Sequence, residues 1–202
     1  MPTQMRARCT YDLVLDAAAT DFSRYGFGRT NLQGVANRLG LTKGALYGHF
    51  SSKEEIAARL IAELDQILEA PPDAAGAPGR ALDRLHALLH GFTERVEQDI
   101  RIRGAVRLVV ERAQSGERQP EFLRRLKDTT VTLVRQAQRD GDLYPDLPSE
   151  SVADLLVAVP FGTYYLTDSG GCDGLSSRVD AVWSLLAPLL RTSGTSGADA
   201  AA

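Results

Sequence analysis

The chain has 202 residues, 44% of them hydrophobic, with a formal net charge of −3. That apolar content suits one or two compact domains with a real core, and the low net charge excludes a disordered polyelectrolyte. No apolar run is long enough to span a membrane, so no membrane partner is expected, and the opening MPTQMRARCTYD lacks the apolar region of a signal peptide.

In chain order, Leu13, Val14, Ala17, Ala18 and Phe22 recur at three- and four-residue steps, which predicts an amphipathic helix over 10–25. Gly26 and Gly28 should stop it. Asn31 is a good N-cap for a second helix with Leu32, Val35, Ala36 and Leu39 inward; Gly40 ends it. Thr42 caps a third helix that Phe50 closes. Ser52 opens a fourth, over 52–69, with Glu55 three residues later as a capping box and Ile56, Leu60, Ile61, Leu64 and Ile67 as its apolar face. The stretch PPDAAGAPG (71–79) must break any helix and marks the connection to a second region. Further helical series follow, through Leu82 to Val96, Ile102 to Val110 and Phe122 to Val134, with breaks near 98–100, at SGERQP (115–120) and at DGDLYPDLP (140–148). Two last helices are predicted over about 149–167 and 175–191, and the small polar tail 193–202 is expected to be disordered. With no convincing strand and no internal repeat, the expectation is an all-α fold of about nine helices.

The second and third helices are separated only by Gly40, Leu41 and Thr42. A short glycine-containing turn between two short helices is the helix-turn-helix arrangement, whose second helix enters the DNA major groove with its N-terminal residues leading. Charge agrees: residues 1–53 hold seven basic and three acidic side chains, whereas the remainder holds 16 basic and 23 acidic ones, so a basic end on an acidic body faces a polyanion. Thr42, Lys43 and Gly44 stand where backbone N–H groups and the helix dipole favour a phosphate. Gly44 and Gly48 allow close approach of the backbone, with Ala45 on the same exposed side. Lys43, Tyr47, His49 and Lys53 are expected contacts, as are Thr30, Asn31 and Gln33 at the start of the preceding helix and Arg29 and Arg38 beside it.

These residues form a pattern. Ala17-Ala18, Phe22, Gly26-Phe27, Thr30, Val35-Ala36, Gly40-Leu41-Thr42-Lys43-Gly44, Leu46-Tyr47, His49-Phe50 and Ser52-Lys53-Glu54 resemble the N-terminal domain of the TetR family of bacterial transcriptional repressors, almost without gap over residues 10–65. Gly34 and Gly48 depart from it. The resemblance implies a helix-turn-helix DNA-binding domain at 1–53 (its helix-turn-helix at 31–50) and a helical ligand-binding and dimerisation domain at 54–192. It further implies a homodimer that reads a near-palindromic double-stranded operator and is released by a small molecule. The stretches RIRGAVRLVVERAQSGERQPEFLRRL and GDLYPDLPSESVADLLVAVPFG are similar to the γ-butyrolactone-receptor branch.

In the body, Pro160 inside an apolar helical run points to a pocket near Phe161, Tyr164 and Tyr165, completed by Phe92, Val110, Phe122, Leu126 and Trp183. Val152, Leu155, Leu156, Val159, Val179, Val182, Leu186 and Leu189 exceed what one body can bury and are expected at a two-fold interface. The body is expected to pull the fourth helix when ligand binds and so swing the reading heads. His86 and His90 share a helix face at a spacing able to bind zinc, but no third ligand is evident, so no metal is assigned and no cofactor is expected. No nucleophile motif or phosphate loop appears, so no enzyme is expected. The rival readings are a repressor without a ligand and an adaptor that has lost DNA affinity. Cys9 and Cys172 are two isolated thiols, which fits a cytoplasmic, nucleoid-associated protein.

Overall fold

The computed structural model describes the backbone of residues 2–69, 80–116, 119–166 and 173–192, with side chains from residue 8 onward except that of residue 69. Among the described residues lie nine helices: α1 Pro2–Arg29, α2 Leu32–Arg38, α3 Lys43–Tyr47, α4 Lys53–Glu69, α5 Ala81–Gln98, α6 Ile100–Gln114, α7 Glu121–Arg139, α8 Ser149–Leu166 and α9 Leu175–Leu190. One isolated bridge, Leu143 with Arg191, is the extent of extended pairing in the described residues. The all-α expectation holds. The connection at 71–79, Cys172 and the tail 193–202 lie outside the described residues.

Helix α1 begins earlier than its apolar period, because Pro2 suits a first helical turn and the residues after it are good helix formers. At Gly26 the backbone leaves helical space (φ 74°, ψ −178°), and one more turn runs to Arg29. Such a φ is cheap only for glycine. Helices α2 and α3 are capped by Asn31, whose Oδ1 accepts from Gln33 N at 3.0 Å, and Thr42, whose Oγ1 accepts from Ala45 N at 3.1 Å. The box at the start of α4 is shifted. Glu55 N donates to Ser52 Oγ at 3.2 Å as expected, but the Glu55 carboxylate turns to Ser51 N and Oγ at 2.7 and 2.6 Å. Those bonds hold the Glu55 carboxyl below the ordinary glutamate range.

The core is continuous from end to end. Phe22, Leu46, Phe50, Ile56 and Leu60 fill its first part, with Tyr11 stacked on Phe50 at 4.5 Å between ring centroids. Helix α6 then lies across both α1 and α4, α7 packs on α5 and α8, and α9 on α5 and α8. The α1–α6 crossing is close enough that a Cβ on Gly104 would stand 2.8 Å from Ala19 O and 3.0 Å from Ala19 Cα. Beside it, Arg101 donates to Asp16 Oδ1 at 2.5 Å and to Asp12 O and Oδ1 at 3.1 Å, with Glu63 of α4 at 3.8 Å. Burial opposes the Arg101 charge, but its bonds to Asp16 and Asp12 outweigh that and raise its pKa.

Helix α9 starts without a side-chain cap of its own. Glu97 of α5 supplies one, accepting from Gly174 N at 2.5 Å, Ser176 N at 3.3 Å and Ser176 Oγ at 2.7 Å. The Ser176 hydroxyl is the main reason its carboxyl is held below the usual range.

Gly104→Ala should destabilise the fold by about 1–3 kcal/mol, since the added methyl meets rigid backbone and not a movable side chain. Chemical denaturation followed by circular dichroism measures this; an unchanged midpoint would show that the helices separate without cost.

Candidate nucleic-acid interface

The third helix is only five residues long, too short to persist alone in water. Leu46, buried beside Phe50, anchors it from below, and its other side chains are left facing outward. Thr42, Lys43, Gly44, Ala45, Tyr47 and Gly48 are all exposed, and His49 is half-buried. The Lys43 ammonium lies 5.7 Å from the Tyr47 ring centroid and pairs with no acidic group among the described residues, so a cation and a phenol share one outward patch. A Cβ on Gly44 would meet nothing within 4 Å, so the protein's own packing does not require a glycine there.

Helix α2 contributes Gln33, exposed and donating to Asn37 Oδ1 at 2.9 Å. Asn37 was not among the expected residues, although its position one turn after Gln33 is the signal that could have found it. Asn31 and Arg29 are exposed as well. Arg38 is half-exposed and anchored at 2.6 Å to the nearly buried Asp21.

Two expected contacts turn inward. Thr30 is buried, and its hydroxyl donates to Gly26 O at 2.7 Å, closing the kink of α1. Lys53 is committed to Phe27 O at 2.7 Å and Thr30 O at 3.0 Å, with its ammonium 4.4 Å over the Phe27 ring. An ammonium satisfied by two carbonyls and a ring face ties α4 to the kink and is not presented to a phosphate. Sequence periodicity could not reveal this, because the acceptors are backbone carbonyls at and just beyond the end of α1.

In the body, Phe92, Phe122 and Phe161 do come together, with centroids 5.7 and 5.6 Å apart, and Leu126 is buried with them in the core. Tyr164 meets Tyr165 edge-on at 5.3 Å. Trp183 instead stacks on His86 at 5.2 Å. An open cleft of about 600 Å³ lies between α4, α6 and the start of α7, lined by Ile61, Asp65, Val109, Arg112, Gln119, Pro120, Glu121 and Phe122. Of the expected pocket residues only Phe122 borders it; Val110 is half-buried one position from Val109 and is not on its wall.

The expected interface residues also divide. Val152, Leu156 and Val179 are buried and belong to the chain's own core, a correction that follows from helix period: they lie on the inward faces of α8 and α9 and not at solvent. Val159, Val182 and Leu186 are half-buried, while Leu155 (45%) and Leu189 (73%) are exposed. Leu185, 72% exposed, was missed and joins them.

Comparison with known proteins places this geometry. The sequence profile described as "Bacterial regulatory proteins, tetR family" matches residues 14–60. The A-factor receptor protein of Streptomyces griseus is 30% identical over 93% of this chain, which spans 66% of that protein's length. The TetR family protein CprB of Streptomyces coelicolor A3(2) superposes with a TM-score of 0.81 at 26% identity, covering 95% of this chain and 93% of that one. A second CprB structure, in complex with its biological operator sequence, gives 0.78 at 26% identity over 93% and 91% of the two chains.

Gly44→Ala should raise thermal stability, by up to about 1 kcal/mol, because alanine is the better helix residue and has room. The same change should weaken DNA binding if backbone approach matters. Calorimetric melting and a mobility-shift titration would read the two signs; a tighter complex would contradict the role given to Gly44.

Proposed function

This chain is a member of the TetR family of bacterial transcriptional regulators, and from that premise we propose that it is a repressor that holds a near-palindromic operator as a homodimer and lets go when a small molecule binds. The observation that carries the reading is the outward patch of α3 and its C-cap, with Lys43, Gly44, Tyr47 and Gly48 exposed above the buried Leu46 and Phe50. In this reading Lys43 and Tyr47 reach phosphate or base edges, and Gln33, Asn37, Asn31, Arg29 and Arg38 clamp the backbone beside them. No helix of the described residues is long and apolar enough to cross a membrane; the proposed workplace is the nucleoid.

Dimerisation is assigned to the exposed apolar faces of α8 and α9. Leu155, Leu185 and Leu189 stand open to solvent in the single chain, and a two-fold axis would cover them with their own copies.

Release is assigned to α6, which packs against α1, α4 and α5. Phe27 N donates to Glu111 Oε2 at 2.8 Å, and Arg107 Nε donates to Glu111 Oε1 at 2.9 Å. The Arg107 guanidinium lies 5.8 Å from the Tyr165 ring. Burial pushes the Tyr165 phenol above its ordinary pKa, so it stays neutral beside that cation. A small, largely apolar ligand entering the cleft between α4, α6 and α7, or the aromatic cluster behind Phe122, would displace α6 and with it the α1 kink. The size of the effect is bounded by the ligand's preference for the shifted state. The ligand-free repressor is the alternative, and thermal shift against metabolite extracts separates the two, since a ligand for the folded state raises its apparent stability.

Selection of genomic fragments by the purified protein should recover a two-part site with half-sites ~34–36 Å apart, and Lys43→Ala should weaken its binding and flatten its salt dependence by about one unit of slope. Failure to retain any sequence selectively would end the repressor reading. Leu185→Glu combined with Leu189→Glu should leave a folded monomer, because each buried leucine contributes roughly 1.5–3 kcal/mol to such an interface; sedimentation velocity reports the species present.

A further inference from the structure

His86 and His90 sit one turn apart on α5, on the same face. The third donor missing from the sequence pattern comes from α9. His86 Nε2 lies 2.8 Å from Asp180 Oδ1, and His90 Nδ1 lies 3.0 Å from Oδ1 and 3.1 Å from Oδ2. The three ligand atoms fall within 4.8 Å of one another. We infer that His86, His90 and Asp180 form a binding site for a divalent transition-metal ion of the Zn2+ type, with a fourth position open to solvent.

Three physical points support this. First, the spacing is close to what an ion needs. Donors held at 2.0–2.2 Å from a common tetrahedral ion stand roughly 3.3–3.5 Å from each other, so the nitrogen-to-oxygen separations of 2.8 and 3.0 Å must open slightly, and the two ring nitrogens, within 4.8 Å of each other, must settle at the same separation. Second, the donor set is selective. Two imidazoles and one carboxylate suit Zn2+, Co2+ and Ni2+, whereas Mg2+ and Ca2+ take oxygen ligands. Third, the carboxylate is positioned: Asp180, on a second helix, stands within hydrogen-bond distance of both rings. The histidine and aspartate side chains are 39% and 38% exposed, so an ion can reach them without opening the fold.

The site joins two elements with different neighbours. Helix α5 is already bound to the start of α9 through Glu97 and Ser176. A metal about one turn further along would fix α9 at a second point, on the way to the exposed Leu185 and Leu189. It would therefore hold the proposed dimer face in one orientation. Metal binding itself does not depend on the repressor reading, and its test reads no DNA.

Trp183 supplies the readout. It is the single tryptophan of the chain and stacks on His86 at 5.2 Å. The full-length protein, stripped with EDTA and dialysed, is titrated with Zn2+ against a chromogenic chelator and separately with Co2+ while Trp183 emission is followed. One equivalent of Zn2+ per chain and a saturable, EDTA-reversible quench by Co2+ are expected. Asp180→Asn and His90→Gln, checked for folding by circular dichroism, should each weaken binding by more than the roughly 10–100-fold that loss of a supporting contact costs. Cys9→Ser should leave it unchanged. Absence of saturable binding to the unsubstituted protein would overturn the site and leave a hydrogen-bonded brace between α5 and α9. Binding that survives in both folded variants would equally overturn it, because the ion would then lie elsewhere.

Discussion

Everything in the molecule hangs on how closely α6 can lie against α1. At the crossing, Gly104 faces the backbone of Ala19 with no room for a methyl group. Interiors packed at this density move as units, not by gradual deformation. On either side of that contact the helices are pinned by charge. Arg101 gathers Asp12, Asp16 and Glu63 at one end, and Glu111 takes the Phe27 amide at the other. A partly buried guanidinium with several oxygen partners is strongly coupled to all of them, so α1, α4 and α6 share one position. The kink at Gly26 depends on the same arrangement: a Cβ there would collide with the Glu111 carboxylate, besides being strained by its positive φ.

The five-residue α3 is the clearest beneficiary. Its own hydrogen bonds and its Thr42 cap are too few to offset the entropy of ordering it. Buried Leu46 and Phe50 fasten it to the core, where Tyr11 of α1 stacks on Phe50, and Lys53 fastens the following helix to the carbonyls of Phe27 and Thr30. Buried apolar contacts on one side free the other side from any structural duty, which is why lysine, tyrosine and glycine can occupy it. The proposed reading surface is thus a by-product of where stability comes from.

Helix α9 shows the same division in the body. Val179, Trp183, Ala187 and Leu190 face inward, Glu97 and the two histidines of α5 hold its first half, and Leu185 and Leu189 are left outside. A helix apolar on nearly every side, α9 must bury two faces, and a single chain offers cover for one. Val179, Val182, Leu186 and Leu189 were all expected at the interface, because apolar residues alone do not say which neighbour covers them. Of the leucines on α8 and α9, Leu155, Leu189 and, unforeseen, Leu185 and Leu166 remain exposed.

What the sequence determined by itself was local. The 3.6-residue period, the caps at Asn31 and Thr42, the break at Gly26 and the turn at Gly40 each depend on a handful of consecutive side chains, although α1 resumes for one turn past Gly26 where a stop was expected. The inward turn of Thr30 and Lys53, the cleft bounded by Ile61, Val109 and Phe122, and the meeting of His86 and His90 with Asp180 were decided only by tertiary structure. Each joins atoms that are far apart in the chain, or backbone groups whose availability depends on a neighbouring kink. Residue type and spacing carry no record of such distances, because nothing within one helix fixes which face of another will be laid against it.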